Sequence, residues 1–452
     1  MIEKSLNEIV HILHAQIHGD IDDTKKIKGV TIDSRSVTEN CLYVPIIGAR
    51  VDGHSFVDQV FEKGALISFW QKDHIPYPNY PVILVDDTLK AMQVLAKAYL
   101  ESLDCLVIGV TGSNGKTSCK DMLYSVFSKE KKTQKTQGNR NSEIGLPLTI
   151  FEFDEDIEVA ILEMGMENKG EILQLTSIAT PDISIITSIG SAHMENLGSK
   201  KGIAQAKCEI LTGLKSGGIF IYNCESEEIK SVLKELNVQD KQIVSFGKGG
   251  DIQITSKIEY TKNGITFTCN RCDSKIELAT FGDFQAMNAL PCIYVAKAMG
   301  IKEESILNGL KDLEITKMRT QLIPVRKGYI LDDTYKSNPE SAKAAIDTLM
   351  AIPSSKHVAV LADMLDLGPQ ENELHASVGE YALEKGVDAL YCFGPLSKHT
   401  SCAFGGKWYE TKEEIEKEIS SYFKEDCIVL IKGSRAMKMD TMVDDLRGTD
   451  HE

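Results

Sequence analysis

Thr111-Gly112-Ser113-Asn114-Gly115-Lys116-Thr117 is the stretch of this chain whose residue types and spacing speak most directly of chemistry. It follows an apolar run ending at Val110 and precedes a helix-like stretch from Ser118 to Lys129. Glycines permit a tight loop whose N–H groups cradle phosphates at a helix N-terminus. A lysine there adds a point charge for the β- and γ-phosphates, and a threonine hydroxyl can ligate Mg²⁺. The strict phosphate-loop spacing is broken, because Val110 stands where that pattern has its first glycine. A tight turn with an incidental lysine is the plain alternative. Strand, loop and helix in that order favour phosphate binding by Gly112, Ser113, Asn114, Gly115, Lys116, Thr117 and Ser118.

Three further segments carry metal-ligand chemistry: Glu163 in Leu162-Glu-Met-Gly-Met, His193 in Ile189-Gly-Ser-Ala-His-Met, and Lys207 in Ile203-Ala-Gln-Ala-Lys-Cys-Glu-Ile. Each alone reads as an ordinary strand end, a hydrogen-bonded loop histidine or an exposed helix charge. Topology raises the first two, because sites of open α/β sheets lie beyond the C-terminal ends of the strands, where Glu163 and His193 are expected to fall.

The elements that must position these residues can be read from apolar periodicity. Runs at Cys105 to Val110, Ile157 to Glu163, Asp182 to Thr187 and Gly218 to Tyr222 alternate with helix-like stretches, as buried parallel strands in a doubly wound sheet do. Between about 251 and 280 a period-two pattern around Lys262-Asn263-Gly264 predicts an antiparallel hairpin appendage. A second alternating series begins near Arg319, with apolar runs at Tyr329, His357 to Leu361, Ala389 to Phe393 and Cys427 to Ile431. The expected architecture is α/β in three domains: a smaller mixed α/β unit over 1–103, a central P-loop-type, mostly parallel sheet over 104–313, and a Rossmann-like α/β unit over 314–452. The 452 residues also suit about three domains at roughly 150 each.

Composition sets the outer limits. A hydrophobic share of 42% and a charged share of 26% suit ordinary globular cores and exclude disorder and collagen. The net charge of −16 opposes a nucleic-acid partner. No apolar run reaches the roughly 18 residues of a spanning helix, and the start Met1-Ile-Glu-Lys-Ser-Leu lacks a secretory apolar stretch. A soluble cytoplasmic protein is expected. The 11 cysteines are odd in number and scattered, so they read as reduced thiols, and the single Cys269-x-x-Cys272 lacks the partners of a zinc site.

Taken together, the loop, Gly138-Asn-Arg-Asn-Ser-Glu-Ile-Gly-Leu-Pro-Leu-Thr, Glu163-Met-Gly-Met, His193 and Ala206-Lys207 resemble the ATP-dependent Mur ligases of peptidoglycan synthesis. The likeness covers nearly the whole chain. Gly29 to Arg35 and Val51-Asp-Gly-His54 resemble the family's UDP-sugar-binding domain, and Leu331 to Pro339, Leu361 to Gly368 and Ile431 to Arg435 resemble its C-terminal domain. The resemblance implies ATP and Mg²⁺ as cofactors, with Thr117, Glu163, His193 and Lys207 as metal ligands and Lys207 carbamylated. It also implies Asp333 at the ribose, Arg319 at a phosphate and Asn288 at adenine, with Lys116, Glu163, His193, Lys207 and Arg319 catalytic. Substrate contacts would come from Ser34, Arg35, Asp52, Gly53, His54, Asn139, Asn141, Asn338, Ser434 and Arg435. Among family members, those adding a D-alanyl-D-alanine-type dipeptide to a UDP-N-acetylmuramoyl peptide are the nearest match, through an acyl phosphate and with a monomer expected.

Several positions depart from the family's usual pattern: Phe284 and Gln285 before the adenine helix, Lys336 after Tyr335, Arg140 and Ser142 in the Asn-rich loop, and Ser191 where Glu is usual. They spare the phosphate and metal residues and fall on the adenine contacts and the acceptor pocket. A related ligase using another acceptor, such as D-alanyl-D-serine, therefore stays open, as does the third residue of the muramoyl peptide. A non-catalytic nucleotide-binding scaffold is disfavoured by the joint presence of Lys116, Glu163, His193 and Lys207.

Overall fold

The computed structural model describes residues 1–191 and 194–448. At its centre six strands pair in parallel in the order Gln242–Phe246, Ile219–Asn223, Ile183–Ile186, Leu106–Thr111, Val159–Glu163, Thr133–Lys135. Every residue of Val159–Glu163 and Ile183–Ile186 is buried, which is why these runs are unbroken apolar stretches rather than alternating ones. The chain leaves Leu106–Thr111 for one edge of the sheet, returns beside it through Val159–Glu163, then crosses to Ile183–Ile186 on the other side. Such a reversal opens a crevice at the strand C-termini. Register fixes what faces it: Glu163 lies opposite Val110, and Ile186 opposite Thr111.

The helix after the loop runs Lys116–Phe127, two residues earlier than the expected start at Ser118. Gly115 takes φ 83 as its N-cap, a left-handed conformation that glycine adopts without steric cost, so the loop closes sooner and Lys116 becomes the first helical residue. Cys119, Met122, Leu123 and Val126 recur at helical spacing and are fully buried, against Ile293 and Ile306 among others.

The expected hairpin is present, with Glu259–Thr261 antiparallel to Gly264–Phe267 and Thr261 opposite Gly264; Ile276–Leu278 adds a third strand. In the C-terminal sheet Gln321–Val325 pairs antiparallel with Gly328–Asp333, and Ile428–Lys432, His357–Ala362, Ala389–Phe393 and Lys407–Tyr409 follow in parallel. The N-terminal sheet is ordered Gln16–His18, Val82–Val85, Ile67–Gln71, Leu42–Tyr43, Val30–Thr31, with only the first pairing antiparallel.

One hydrophobic cluster joins the N-terminal sheet to a face of the central one, running from Ile67 and Phe69 through Leu95 and Tyr99 to Phe151 and Leu162. Tyr99 completes the link by donating its hydroxyl to the Phe153 carbonyl at 2.7 Å. Each such fully buried side chain contributes about 1.5–3 kcal/mol. The C-terminal sheet has cores of its own, around Leu331, Ile346 and Leu430 on one face and Val360, Ile415 and Val429 on the other.

Candidate active site

The crevice is a cavity of about 940 Å³ whose walls include the phosphate loop, Asn139, Asn141, Glu163, Asn288, Arg319, Asp333, Ser434 and Arg435. The loop is held from both sides. Lys116 Nζ donates to the Gly112 carbonyl at 2.7 Å, closing the loop on itself. Gly190 N–H donates to Ser113 Oγ (2.9 Å), Asn114 N–H to Ser188 Oγ (3.0 Å), and Thr187 Oγ1 to the Asn114 carbonyl (2.5 Å). Crowding by protein atoms around the Lys116 ammonium pushes its pKa down to about 8; Glu163 opposes the shift, and Lys336 and Arg319 add to it. The side chain is nevertheless only half-buried by area, so the cavity leaves it open to an anion.

Glu163 is 3% exposed. Its carboxylate accepts from Thr117 Oγ1 and from Asn141 Nδ2, each at 2.9 Å. Two of the four expected metal ligands, Thr117 and Glu163, are therefore in direct contact and offer the hard oxygen donors that Mg²⁺ prefers. Lys207 is 2% exposed, and burial together with the charges of Lys116 and Lys336 holds its pKa well below the ordinary lysine range. The fourth expected ligand, His193, lies outside the described residues.

Lys120 was not anticipated from sequence. It stands one turn beyond Lys116, a spacing that reads as a solvated charge, yet it is 1% exposed. Its ammonium donates to the Thr136 carbonyl at 2.9 Å and lies 3.7 Å from Glu163 and 3.8 Å from Asp121. Asp121 in turn accepts from Lys135 at 2.6 Å and from the Thr316 N–H and hydroxyl at 3.0 and 2.7 Å. This buried chain of charges ties the loop helix to the segment that leads to Arg319.

The opposite wall comes from the C-terminal sheet. Arg319 sits between Met318 (φ 64) and Thr320 (φ 51), two non-glycine residues in left-handed backbone, a strain that tends to gather at functional sites. Its guanidinium lies 4.1 Å from the Tyr335 ring centroid, and among the described residues its buried Nε finds no hydrogen-bond partner. Asp333 accepts from Thr320 N–H at 3.2 Å and from Lys432 Nζ at 2.6 Å. Asn288 is 7% exposed, with its amide donating to Gln285 at 3.1 Å and its oxygen packed beside Gly115. Asn338 and Asn114 exchange amide hydrogen bonds at 2.9 and 3.4 Å.

Several polar side chains around this wall already have protein partners. Lys432 is 2% exposed, and its ammonium donates to Asp333 and to the Lys336 carbonyl. A three-residue 3₁₀ turn, Arg435–Met437, comes next, before the helix Asp440–Gly448, and Ser434 makes no cap bond, its hydroxyl accepting instead from Leu365 N–H at 2.9 Å. Arg435 reaches the cavity wall but pairs with Asp440 at 2.8 Å. Arg140, from the Asn-rich loop, pairs with Glu152 at 2.5 Å on the surface.

Ser34, Arg35, Asp52, Gly53 and His54 do not line this cavity. Arg35 is 84% exposed and grips Asp33 at 2.8 Å. Asp52 accepts from the N–H and Nδ1 of buried His54 at 2.9 and 2.7 Å, fixing the loop, while burial lowers the His54 pKa against the pull of Asp52.

Three family models match the chain. Family models described as Mur ligase family, catalytic domain, Mur ligase middle domain and Mur ligase, glutamate ligase domain match residues 26–100, 110–296 and 318–435. A relative from Bacillus subtilis (strain 168), UDP-N-acetylmuramoyl-tripeptide–D-alanyl-D-alanine ligase, is 37% identical over 99% of both chains.

The chain belongs to the Mur ligase family.

An Escherichia coli (strain K12) protein of the same description is 30% identical over 98% of each chain. Among solved Mur ligases, MurF from Acinetobacter baumannii superposes with a TM-score of 0.91 at 28% identity over 99% of both chains. MurF ligase from Thermotoga maritima in complex with ADP gives 0.84 at 26% identity, over 93% of this chain and 97% of that one. The fold is thus the three-part Mur ligase architecture, and the chain is a ligase of this family.

Proposed function

We infer that this chain joins D-alanyl-D-alanine to UDP-N-acetylmuramoyl-tripeptide with hydrolysis of ATP to ADP and phosphate, in the cytoplasmic synthesis of peptidoglycan precursor, as a monomer. The observation that carries this reading is the placement of the phosphate loop, the Thr117–Glu163 pair and Arg319 around one cavity, in a chain that matches ligases of that description end to end. No helix among the described residues is long and apolar enough to cross a membrane, in keeping with a soluble substrate pair.

In this reading the three units divide the work: 1–103 holds the UDP end, 104–313 the ATP phosphates, and 314–452 the ribose and the acceptor. The tripeptide carboxylate attacks the γ-phosphorus of ATP, the bond to the β-phosphate oxygen breaks, and ADP leaves. The acceptor amine then adds to the acyl phosphate carbonyl, loses a proton, and the tetrahedral intermediate expels phosphate. Lys116 and Arg319 offset charge on the transferring group, and the loop N–H groups orient it, so the protein's contribution is positioning and electrostatics. Thr117, Glu163, His193 and a carbamylated Lys207 would hold Mg²⁺, which supplies further neutralisation of phosphoryl charge when bound. Asn288 serves the adenine and Asp333 the ribose, while Asn139, Asn141, Asn338, Ser434 and Arg435 border the acceptor.

Measuring ADP release across a panel of UDP-muramoyl peptides and amine acceptors tests all of this. Release that requires both the tripeptide and D-alanyl-D-alanine is expected. Preference for a dipeptide ending in D-serine, or no release with any pair, would replace the reading.

Two substitutions probe the outlying contacts. Arg35→Ala should raise the KM for the UDP substrate about tenfold, the loss expected when a guanidinium–phosphate bond is removed, and leave that for ATP within twofold. A change confined to ATP would put the UDP end elsewhere. Arg435→Ala, which frees Asp440 as well, should raise the KM for the dipeptide by roughly five- to tenfold with ATP affinity unchanged. Equal losses for both ligands would make Arg435 a support of the C-terminal core through Asp440.

A further inference from the structure

Two segments that carry metal-ligand candidates, the loop after Ile183–Ile186 and the helix Lys200–Cys208, meet at a single carboxylate from the C-terminal unit. Glu340 is the second residue of the helix Pro339–Ala351, which Asn338 caps by accepting from Ser341 N–H at 2.8 Å. Its carboxylate accepts from the Ser191 hydroxyl at 2.7 Å and from the Ser191 N–H at 3.3 Å, and Lys200 Nζ lies 3.1 Å away. Ser191 is 5% exposed, so its hydroxyl would lose its partner if Glu340 were absent, and a buried donor without a partner is costly. An ionised acceptor also makes this bond stronger than a neutral pair would. The Lys200 contact alone is half-exposed, at 44% and 36% for the two side chains, and by itself would contribute little.

Position gives the contact its significance. Ser191 precedes His193 by two residues in sequence, and Lys200 opens the helix that ends with buried Lys207 and Cys208. The same loop grips the phosphate loop through Gly190 and Ser113 at 2.9 Å, while Asn338, the cap of the Glu340 helix, pairs with Asn114 of that loop. One helix N-terminus from the C-terminal unit therefore touches the phosphate loop and both ligand-bearing segments.

We propose that Glu340 is a positioning residue that couples seating of the C-terminal unit to assembly of the cation site, by holding Ser191 and Lys200 from across the domain boundary. The inference rests on the metal-dependent reading above. It predicts that cation affinity, and not only turnover, depends on a carboxylate at this junction. Because the Ser191 hydroxyl lies within 2.7 Å of the Glu340 carboxylate, a carboxylate carried at position 191 would come within reach of Lys200 from the loop side.

The test uses the full chain with ADP, titrated with Mn²⁺ and read by the electron paramagnetic resonance of free Mn²⁺, beside ADP affinity without metal and steady-state ADP release. Glu340→Ala should weaken Mn²⁺ binding about tenfold, the scale of one charge-assisted hydrogen bond, and lower kcat in proportion, with metal-free ADP affinity unchanged. Adding Ser191→Glu to that variant should restore most of the Mn²⁺ affinity. Unchanged Mn²⁺ binding in Glu340→Ala overturns the proposal. So does a loss that Ser191→Glu leaves uncorrected, or one matched by metal-free ADP affinity, since Glu340 would then merely support the fold. The Mn²⁺ readout needs neither muramoyl peptide nor acceptor, so a wild-type chain that binds Mn²⁺ as described but releases no ADP would overturn the substrate assignment and leave this coupling standing.

Discussion

Lys207→Ala is expected to lower turnover by about a thousandfold, the equivalent of several kcal/mol of lost charge stabilisation in the transition state. Added acetate or formate should return part of it. The physical reason is the contradiction that the site presents: a residue encoded as a cation is 2% exposed and close enough to Lys116 and Lys336 for their charges to disfavour its own. Burial and like charge both favour the neutral amine. A neutral amine can attack CO₂, releasing one proton and leaving a carbamate, whose negative charge the Lys116 and Lys336 ammonium groups would favour. In the alanine variant the space is empty and a short carboxylate can occupy it. Full unrescued activity in Lys207→Ala would dismiss the carbamate. Activity that is lost and returns with methylamine instead of acetate would show that the group acts as a cation.

Gly115→Ala should raise the dissociation constant for ATP by about 10- to 100-fold, from left-handed strain of roughly 1–2 kcal/mol together with a collision. Gly115 has φ 83, and a Cβ there would stand 2.4 Å from Asn288 Oδ1 and 2.9 Å from its Cγ. Asn288 cannot yield freely, because it is 7% exposed and bonded to Gln285. The substitution thus disturbs the phosphate loop and a candidate adenine contact at once. Gly386→Ala is the matched control: φ 78 with nothing within 4 Å of the added carbon, at the end of the helix Glu371–Lys385. It should lower stability with ATP affinity unchanged. Calorimetric titration of both variants with ATP tests this, and equal affinities would show that neither strain nor collision at Gly115 reaches the ATP site.

The parts of this fold that were legible in the sequence are those set by local periodicity. The buried strands, the Lys262-Asn263 hairpin and the alternation of the C-terminal unit each declare themselves within some ten residues. Glu163 and the phosphate loop were legible for the same reason, because strand ends and glycine-bearing loops have a fixed place in an open α/β sheet. Contacts made across the chain were not. Lys120 looks like any exposed helix lysine until the helix is seen covered on all sides. Lys432 reads as a free cation beside a glycine, yet Asp333, 99 positions away, claims it. Asn288 suits a base contact by resemblance, but its approach to Gly115 depends on how two helices pack. Arg435 shows the limit most plainly, since the acidic neighbour that holds it, Asp440, is only five residues on, and nothing in residue type says whether such a pair will close.

The way the apolar cores are partitioned also bears on how the chain comes apart. The N-terminal sheet shares one unbroken cluster with the central sheet, whereas from before residue 314 the C-terminal clusters take only buried Phe281 and partly buried Tyr260, among the described residues. Cooperative unfolding follows buried apolar continuity. The first two units should therefore melt, resist proteases and exchange their amides as one block, and the last as another. A chain cut near residue 103 would strip Leu95 and Tyr99 from a surface that still needs them, while the apolar surface uncovered by a cut near residue 314 would be smaller, chiefly Phe281, Tyr260 and the ground under Ile315.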